Sequence, residues 1–489
     1  MIIPACDEIL SLSGEYDIIP ICREIYADVV TPITLLRRIA ERSSRFYLLE
    51  SIEGGEKWGR YSFLGYNPVM RVACHCGKVK IESHVSRFPS REIQTDHPMD
   101  VLREILAQFK APRLKGQPPF TGGFVGYFAY AMIEYAEPTL HISRGGANDF
   151  DLMLFDKVIA FDHLRQKLIL MVNMSLDEPE TSYNKAVLEL RQLVELLRTG
   201  AKKQDRAGRL LGPVTPLFGR EDFSRMVEQA KVHIREGDIF QIVLSNCLSA
   251  PFEGSLFNTY RVLRTLNPSP YMFYFSGTDV EVAGASPETL VKLENGVLHT
   301  FPLAGTRPRG KTPEEDQVLE TELLSDEKEL AEHNMLVDLG RNDLGKISRF
   351  GTVQVEKFHT IERFSHVMHI GSTVRGELRE DKDALDAIEA VLPAGTLSGA
   401  PKLRACQLIA ELENNKRGIY GGAIGYIDFT GNMDTCIAIR IAYQKNGRVF
   451  VRSGAGIVAD SVPEQEFEEC MNKARASLRA LELAQEAEL

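Results

Sequence analysis

The chain has 489 residues, 44% of them hydrophobic and 26% charged, a make-up that belongs to globular rather than disordered proteins and that is too long for one ordinary core. A formal net charge of −11 excludes a nucleic-acid binder, because phosphate contacts need a basic face. The start, MIIPACDEIL, lacks the basic residues and apolar run of a signal peptide, and no stretch approaches the roughly 18 apolar residues of a membrane helix, so a cytosolic address is expected. Eight cysteines scattered over so long a chain suit reduced thiols rather than a disulfide frame.

From the N-terminus, 32–42 reads as a first helix with Ile33, Leu36, Ile39 and Ala40 along one side. FYLLES is an alternating strand ending at Glu50 and Ser51, and GRYSFLGYNPVMRVAC is further strand material broken at Gly65 and at the Asn-Pro turn. Cys74 and Cys76 flank His75, but no second ligand pair follows at zinc spacing, so the trio reads as structural. A helix over 98–109, a Pro-rich loop and TGGFVGYFAYAMIEY come next. DLMLFDKVIAFDHLRQKLILMVN gives two strands around a polar turn at 163–166, and a helix over 182–198 closes a lobe of residues 1–200. GAKKQDRAGRLLGPVTPLFGR is basic and rich in Gly and Pro, which reads as a solvated linker over 201–220.

A second lobe, 221–489, opens with a helix over 221–235. GDIFQIVLSN then turns at Gly237 and Asp238 and alternates, with Phe240, Ile242 and Leu244 facing one way and Gln241, Val243 and Ser245 the other. Two strands follow, joined at Glu294, Asn295 and Gly296, then an acidic helical region over 314–339 and the short strands GTVQVEKF and SHVMHIGSTVRGEL. Helices follow over 382–391 and after the PAGTLSGAPK turn. GIYGGAIGYIDF, MDTCIAIRIAYQKNG and RVFVRSG read as three consecutive antiparallel strands. Strand pairs alternating with helices imply an α+β fold with antiparallel sheets, not a doubly wound parallel one.

The last helix, in PEQEFEECMNK, is expected to open with a capping box of Ser461 and Glu464 and with Pro463 in its first turn. It sets Glu466, Glu469 and Lys473 on one face. Adjacent carboxylates repel unless something positive stands between them: Lys473 one turn on, or a bound cation. DEKELAEH makes a second pair, Glu329 and Glu332, and a glycine-rich loop from Ser453 to Gly456 leads into the last helix. Either pair alone is an ordinary solvated face. Four carboxylates converging from two helices would suit a hard divalent cation such as Mg2+, which keeps waters and is shared with an anionic substrate. Spacing leaves that convergence open.

FPLAGTRPRG, DEKELAEHNMLVDLGRNDLG, PAGTLSGAPK, GIYGGAIGY and RSGAGIVADSVPEQEFEEC with the following Lys473 together resemble the chorismate-utilising enzymes, and within them the large components of anthranilate synthase. The match spans about residues 220–478, and 1–200 resembles the N-terminal domain of those components. The resemblance implies a layered α/β/β/α fold with orthogonally packed antiparallel sheets and two intimately packed lobes. It implies Mg2+ held chiefly by Glu332 and Glu469, with Glu329 and Glu466 in support. Gly305, Thr306, Thr396, Tyr420, Arg440, the backbone N–H groups of Gly454, Ala455 and Gly456, and Lys473 match substrate contacts. The residues around Arg440 leave a pocket and a surface charge equally open.

The reaction implied is amination of chorismate at ring carbon 2 with loss of the carbon 4 hydroxyl, then elimination of pyruvate to leave anthranilate, the first step of tryptophan biosynthesis. Glu288 matches the general acid and would need a raised pKa, although its place after Pro287 also fits the first turn of a helix. His369 matches the histidine of the pyruvate-elimination step, with His366, on the opposite strand face, as the fallback. Gln241 stands where isochorismate-forming relatives carry a lysine to activate water, which ammonia does not need. Ala304 stands where adduct-forming aminodeoxychorismate synthases carry a nucleophilic lysine, which leaves direct addition of ammonia. Ser51 in LLES, with Pro270, Tyr271 and Met272 in NPSPYMFY, matches the tryptophan feedback pocket; on the residues alone these are ordinary strands. None of the eight cysteines lies in a glutaminase nucleophile elbow, so ammonia would come from solution or from a glutamine amidotransferase subunit in a hetero-oligomer, a heterotetramer by resemblance. The competing expectations are an aminodeoxychorismate synthase and a non-catalytic tryptophan-sensing subunit.

Overall fold

The computed structural model describes residues 2–10, 12, 14–28, 30–52, 59–142, 145–199, 207–364 and 367–486. Strand period 2 organises it. Along Phe46–Glu50, Tyr47 enters one apolar cluster while its neighbour Leu48 enters another on the opposite face. The same alternation, repeated through two antiparallel sheets of 14 and 12 strands among the described residues, produces four layers. Tyr47, Phe155 and Phe273 pack with Tyr127 and Tyr426 between the sheets. The helices Pro32–Arg42, Pro179–Thr199, Phe257–Leu266 and Pro463–Leu483 bury Leu36, Leu190, Tyr260 and Ala480 on the outer face of the first sheet. Pro98–Leu106 and Ala384–Val391 bury Leu102 and Ile388 against the second. Each such fully buried Leu or Ile contributes about 1.5–3 kcal/mol. Among the described residues no helix is long and apolar enough to cross a membrane.

Both sheets run through both halves of the chain. In the first, Phe46–Glu50 pairs with Tyr271–Ser276, Leu49 opposite Phe273. In the second, Gly123–Phe128 pairs with Ala423–Asp428, Val125 opposite Tyr426. Of the linker stretch, 201–206 lies outside the described residues. The remainder is tied down: Arg209–Leu210 and Thr215–Pro216 pair with the long strand Gln241–Glu253.

Four local expectations are corrected. The acidic region is two helices, Pro313–Ser325 and Glu327–Gly345, because Asp326 leaves the helical conformation to cap the second with its side chain, accepting from the N–H groups of Lys328 and Glu329. The run MDTCIAIRIAYQKNG is not one strand. Met433–Ile437 belongs to the second sheet and Ile441–Lys445 to the first, and Arg440 makes the crossing in the left-handed region at φ +51°. The Ser461–Glu464 capping box does not form. The N-cap is Val462, Pro463 holds the first helical position, and the Ser461 hydroxyl oxygen instead accepts from the Val458 N–H at 3.1 Å. Phe240 is exposed and precedes the strand that starts at Gln241.

Candidate active site

A cavity of about 620 Å³ opens between the second half's strands and two helices, and all its lining residues fall between 241 and 473. Glu288 reaches it from the turn between the strands Glu281–Ser286 and Thr289–Glu294, so the helical reading of that glutamate is set aside. Thr396, in a short 3-10 turn, donates its hydroxyl to both Glu288 oxygens at 3.3 Å. His369 comes from Val367–Glu377, and Gly305 and Thr306 from Leu303–Pro308, which pairs with it. Gly305 lies at φ +69°, and a Cβ there would stand 3.1 Å from Glu329 Oε2, so only glycine brings this backbone so close. Gly454 and Gly456 line the cavity from Arg448–Ile457; a Cβ on Gly454 would lie 2.9 Å from the Tyr420 hydroxyl and one on Gly456 2.7 Å from the Gln241 amide nitrogen.

Burial favours the uncharged form of both Glu288 and His369. Burial is the largest influence on Glu288 and pushes its carboxyl up to about 8, the Thr396 bond and the Arg440 charge opposing it only in part. Glu288 therefore carries a proton at neutral pH. Burial lowers His369, the Gly305 carbonyl bond raises it, and Arg440 lowers it again, for a net depression. Its Nδ1 lies 2.8 Å from the Gly305 carbonyl oxygen and 3.1 Å from Thr306 Oγ1. The carbonyl only accepts, so Nδ1 holds the proton and Nε2 keeps the lone pair. One group is set to give a proton and the other to take one.

Glu329 and Glu332, from the first two turns of Glu327–Gly345, and Glu466 and Glu469, from the start of Pro463–Leu483, all line this cavity. Burial and then the charge of Glu332 raise Glu329. Burial raises Glu466 as well; the Ser461 hydroxyl bond opposes it and Glu469 adds to it. Lys473 bonds Glu469 Oε1 at 2.7 Å, as the one-turn spacing expects. Among the described residues no three of these carboxylates bring oxygens within 4.8 Å of one another. An all-oxygen donor set of this kind, electrostatically strained and too open to enclose an ion, fits a cation that retains water and takes further oxygen from a substrate.

Of the candidate residues, Gln241, Glu288, Gly305, Thr306, Glu329, Glu332, His369, Thr396, Tyr420, Arg440, Gly454, Gly456, Glu466, Glu469 and Lys473 share this one cavity. Ala455 does not. Strand alternation turns its methyl into the core with Phe223 and Ile242. His366 lies outside the described residues. Lys328 and Arg452 also line the cavity and are not singled out from sequence. Spacing could have found both: Lys328 is four residues before Glu332 on the same helix face, and Arg452 is two before Gly454 on the same strand face.

Ser51, Pro270, Tyr271 and Met272 meet in a second cavity, of about 570 Å³, that touches both seams between the halves through Leu49 and Phe273 on one side and Gly425 and Tyr426 on the other. The Tyr271 hydroxyl donates to Asp434 at 2.9 Å and lies 2.8 Å from Thr289 Oγ1, the residue after Glu288.

A buried glutamic acid and a neutral histidine, set among four carboxylates and a glycine-lined strand in one cavity, have the make-up of an enzyme's site. The family described as chorismate binding enzyme matches residues 46–479, and the chain belongs to it. It is 48% identical to anthranilate synthase component 1 of Acetivibrio thermocellus over 99% of this chain and 100% of that one. The corresponding protein of Aquifex aeolicus is 45% identical, covering 99% and 98%. The crystal structure of anthranilate synthase component I from Streptococcus pneumoniae TIGR4 superposes with a TM-score of 0.77 at 39% identity, covering 93% of this chain and 98% of that one.

Proposed function

We propose that this chain is the large, chorismate-binding component of an anthranilate synthase, a lyase that aminates chorismate and eliminates pyruvate. The observation that carries the reading is the pairing, in one cavity, of a carboxyl that keeps its proton to about pH 8 with a histidine that stays neutral. Hydroxide is a poor leaving group, so the carbon 4 hydroxyl must depart as water; Glu288 supplies that proton while Thr396 holds its carboxyl in place. Ammonia adds at carbon 2 past Gln241 and Ala304, neither of which can activate water or attack the ring. The ring then becomes aromatic by losing the proton at carbon 2 as pyruvate leaves, and Nε2 of His369 is the base oriented for it. Arg440, Tyr420 and the backbone at Gly454 and Gly456 orient the substrate's polar groups. Glu332 and Glu469, assisted by Glu329 and Glu466, would hold Mg2+, whose charge offsets that of a substrate carboxylate beside an acidic wall.

Ammonia is expected from a separate glutamine amidotransferase subunit, since none of the eight cysteines lies at a glycine-flanked turn between a strand and a helix and five of them are buried. The cavity at the seams is assigned to tryptophan as a feedback inhibitor: it offers opposite charges for a zwitterion, Arg60 and Lys292 against Glu294 and Asp434, beside the apolar Met272 and Phe63. The test is product identity. Purified chain with chorismate, a magnesium salt and an ammonium salt should form fluorescent anthranilate with one pyruvate per turnover. An aminated product that retains its enolpyruvyl group would replace this reading with an aminodeoxychorismate synthase.

A further inference from the structure

A charged cluster lies buried against the floor of the active cavity and takes no part in the chemistry described above. Glu413 is 2% exposed, Arg452 4% and Arg417 5%. Arg417 donates through Nε and Nη2 to the two oxygens of Glu413, at 3.0 and 2.5 Å, and through its terminal nitrogens to the carbonyls of Leu397 and Val243, each at 2.7 Å. Arg452 donates to Glu413 Oε2 at 3.3 Å, to Ser245 Oγ at 3.0 Å, to the Lys416 carbonyl at 3.3 Å and to Asn415 Oδ1. The Ser245 N–H and hydroxyl complete the shell of Glu413 at 2.7 and 2.9 Å. Burial alone would raise the Glu413 carboxyl; the guanidiniums override it and hold it below its usual range.

The charges do not cancel. Two guanidiniums meet one carboxylate, and every other group bonded to them is a neutral oxygen, so one unit of positive charge is left over. Stability gives no reason for this, since an ion cluster removed from water is often no better than apolar side chains of the same volume, and an uncompensated buried charge is worse. The surplus lies where an anion would feel it. Arg452, Val243 and Leu397 all line the active cavity, and Gly454 follows Arg452 by two residues on the same strand. Salt screens a buried charge far less than an exposed one, and its field acts through an effective dielectric of about 20 rather than that of water.

We propose that the surplus positive charge of the Glu413–Arg417–Arg452 cluster makes the cavity select dianionic over monoanionic ring compounds, with Arg452 as the specificity-determining residue. The proposal rests on the chorismate reading for its natural ligand, a ring compound with two carboxylates. The acidic wall of Glu329, Glu332, Glu466 and Glu469 deals with one of those carboxylates through a cation. The Arg452 floor supplies the field that favours the second, behind the direct contacts of Arg440 and Tyr420.

Arg452→Gln removes the surplus and leaves Glu413 and Arg417 as a balanced pair. It should raise KM for chorismate about tenfold, the scale of one charge acting across a cavity, with kcat within about twofold. Asn415→Asp sets a carboxylate against the same guanidinium without removing it, and should raise KM similarly even though Arg452 keeps its bonds; this variant carries the test if Arg452→Gln fails to fold. Arg452→Lys should stay close to the parent. In calorimetric titrations both neutralising variants should weaken benzene-1,3-dicarboxylate more than benzoate. The proposal is overturned if Asn415→Asp leaves KM and the dicarboxylate preference unchanged, or if Arg452→Lys is as impaired as Arg452→Gln with kcat and KM damaged together, which is what a purely architectural role produces. A parent chain that prefers the dicarboxylate but forms no anthranilate would refute the functional reading and leave this proposal standing.

Discussion

The two cavities are of nearly equal size, about 620 and 570 Å³, and treat charge in opposite ways. In the cavity at the seams, charged groups are matched. Glu50 bonds Arg264 and Tyr260, Lys292 bonds Glu294 at 3.0 Å, and Asp434 accepts from Tyr271. In the active cavity like charges stand side by side, and the buried carboxyl of Glu288 is bonded by the Thr396 hydroxyl and lies in the field of Arg440. Burial raises a carboxyl in each cavity, Asp434 at the seams and Glu288 in the active one. What differs is the company: a lysine and a tyrosine hydroxyl oppose the rise of Asp434, whereas neighbouring carboxylates add to that of Glu329 and Glu466.

Breaking the active cavity's charge pattern should have the largest effect. Glu332→Gln or Glu469→Gln should abolish magnesium-dependent turnover in a chorismate and ammonia assay, while far-ultraviolet circular dichroism stays that of the parent. Glu288→Gln should lower kcat roughly 10²–10⁴-fold, the worth of a general acid. In the parent, kcat measured at constant free ammonia should fall as pH rises through about 8, where Glu288 loses its proton. Stability follows the same group. Its carboxyl rises from 4.5 when unfolded to about 8 when folded, so the native chain binds the extra proton between those values. The stabilisation is complete below 4.5 and is lost as pH climbs through about 8; Glu288→Gln should remove that slope from urea midpoints measured over the range.

The cavity at the seams should respond differently. Ser51→Arg fills it, and should abolish tryptophan inhibition while ammonia-dependent turnover persists; unchanged inhibition would remove Ser51 from the effector site. Tyr271→Phe, which deletes the hydroxyl between Asp434 and Thr289, should have the smallest effect, a loss of about 1–2 kcal/mol in urea unfolding.

Local chemistry was readable from the chain, and long-range register was not. The spacing of Glu466, Glu469 and Lys473 gave the helix face and the ion pair that the structure contains. The glycines read as a loop before that helix are instead the end of the strand Arg448–Ile457, where Gly454 and Gly456 let the backbone approach Tyr420 and Gln241 closely. The motif resemblance located the cavity's residues, and the fold gathered them from ten separate segments of the chain. Arg440 was undecidable because its exposure depends on a crossing between two sheets that leaves no periodic trace. The Ser461 capping box was a sound local expectation overridden by Val458 and Glu466, which claim the same hydroxyl. Glu413 and Arg417 show their i, i+4 spacing openly, but nothing in the sequence places Arg452 beside them; that contact is created by the strand that pairs Cys247 with Arg452.

The central claim is that glutamates from two helices remote in sequence hold one magnesium ion beside a dianionic ring. Calorimetric titration of Mg2+ into the chain saturated with chorismate, in the absence of ammonia, tests it directly. The account predicts one ion bound per chain, and none at the same concentrations in Glu469→Gln. Equal binding by parent and variant would contradict it.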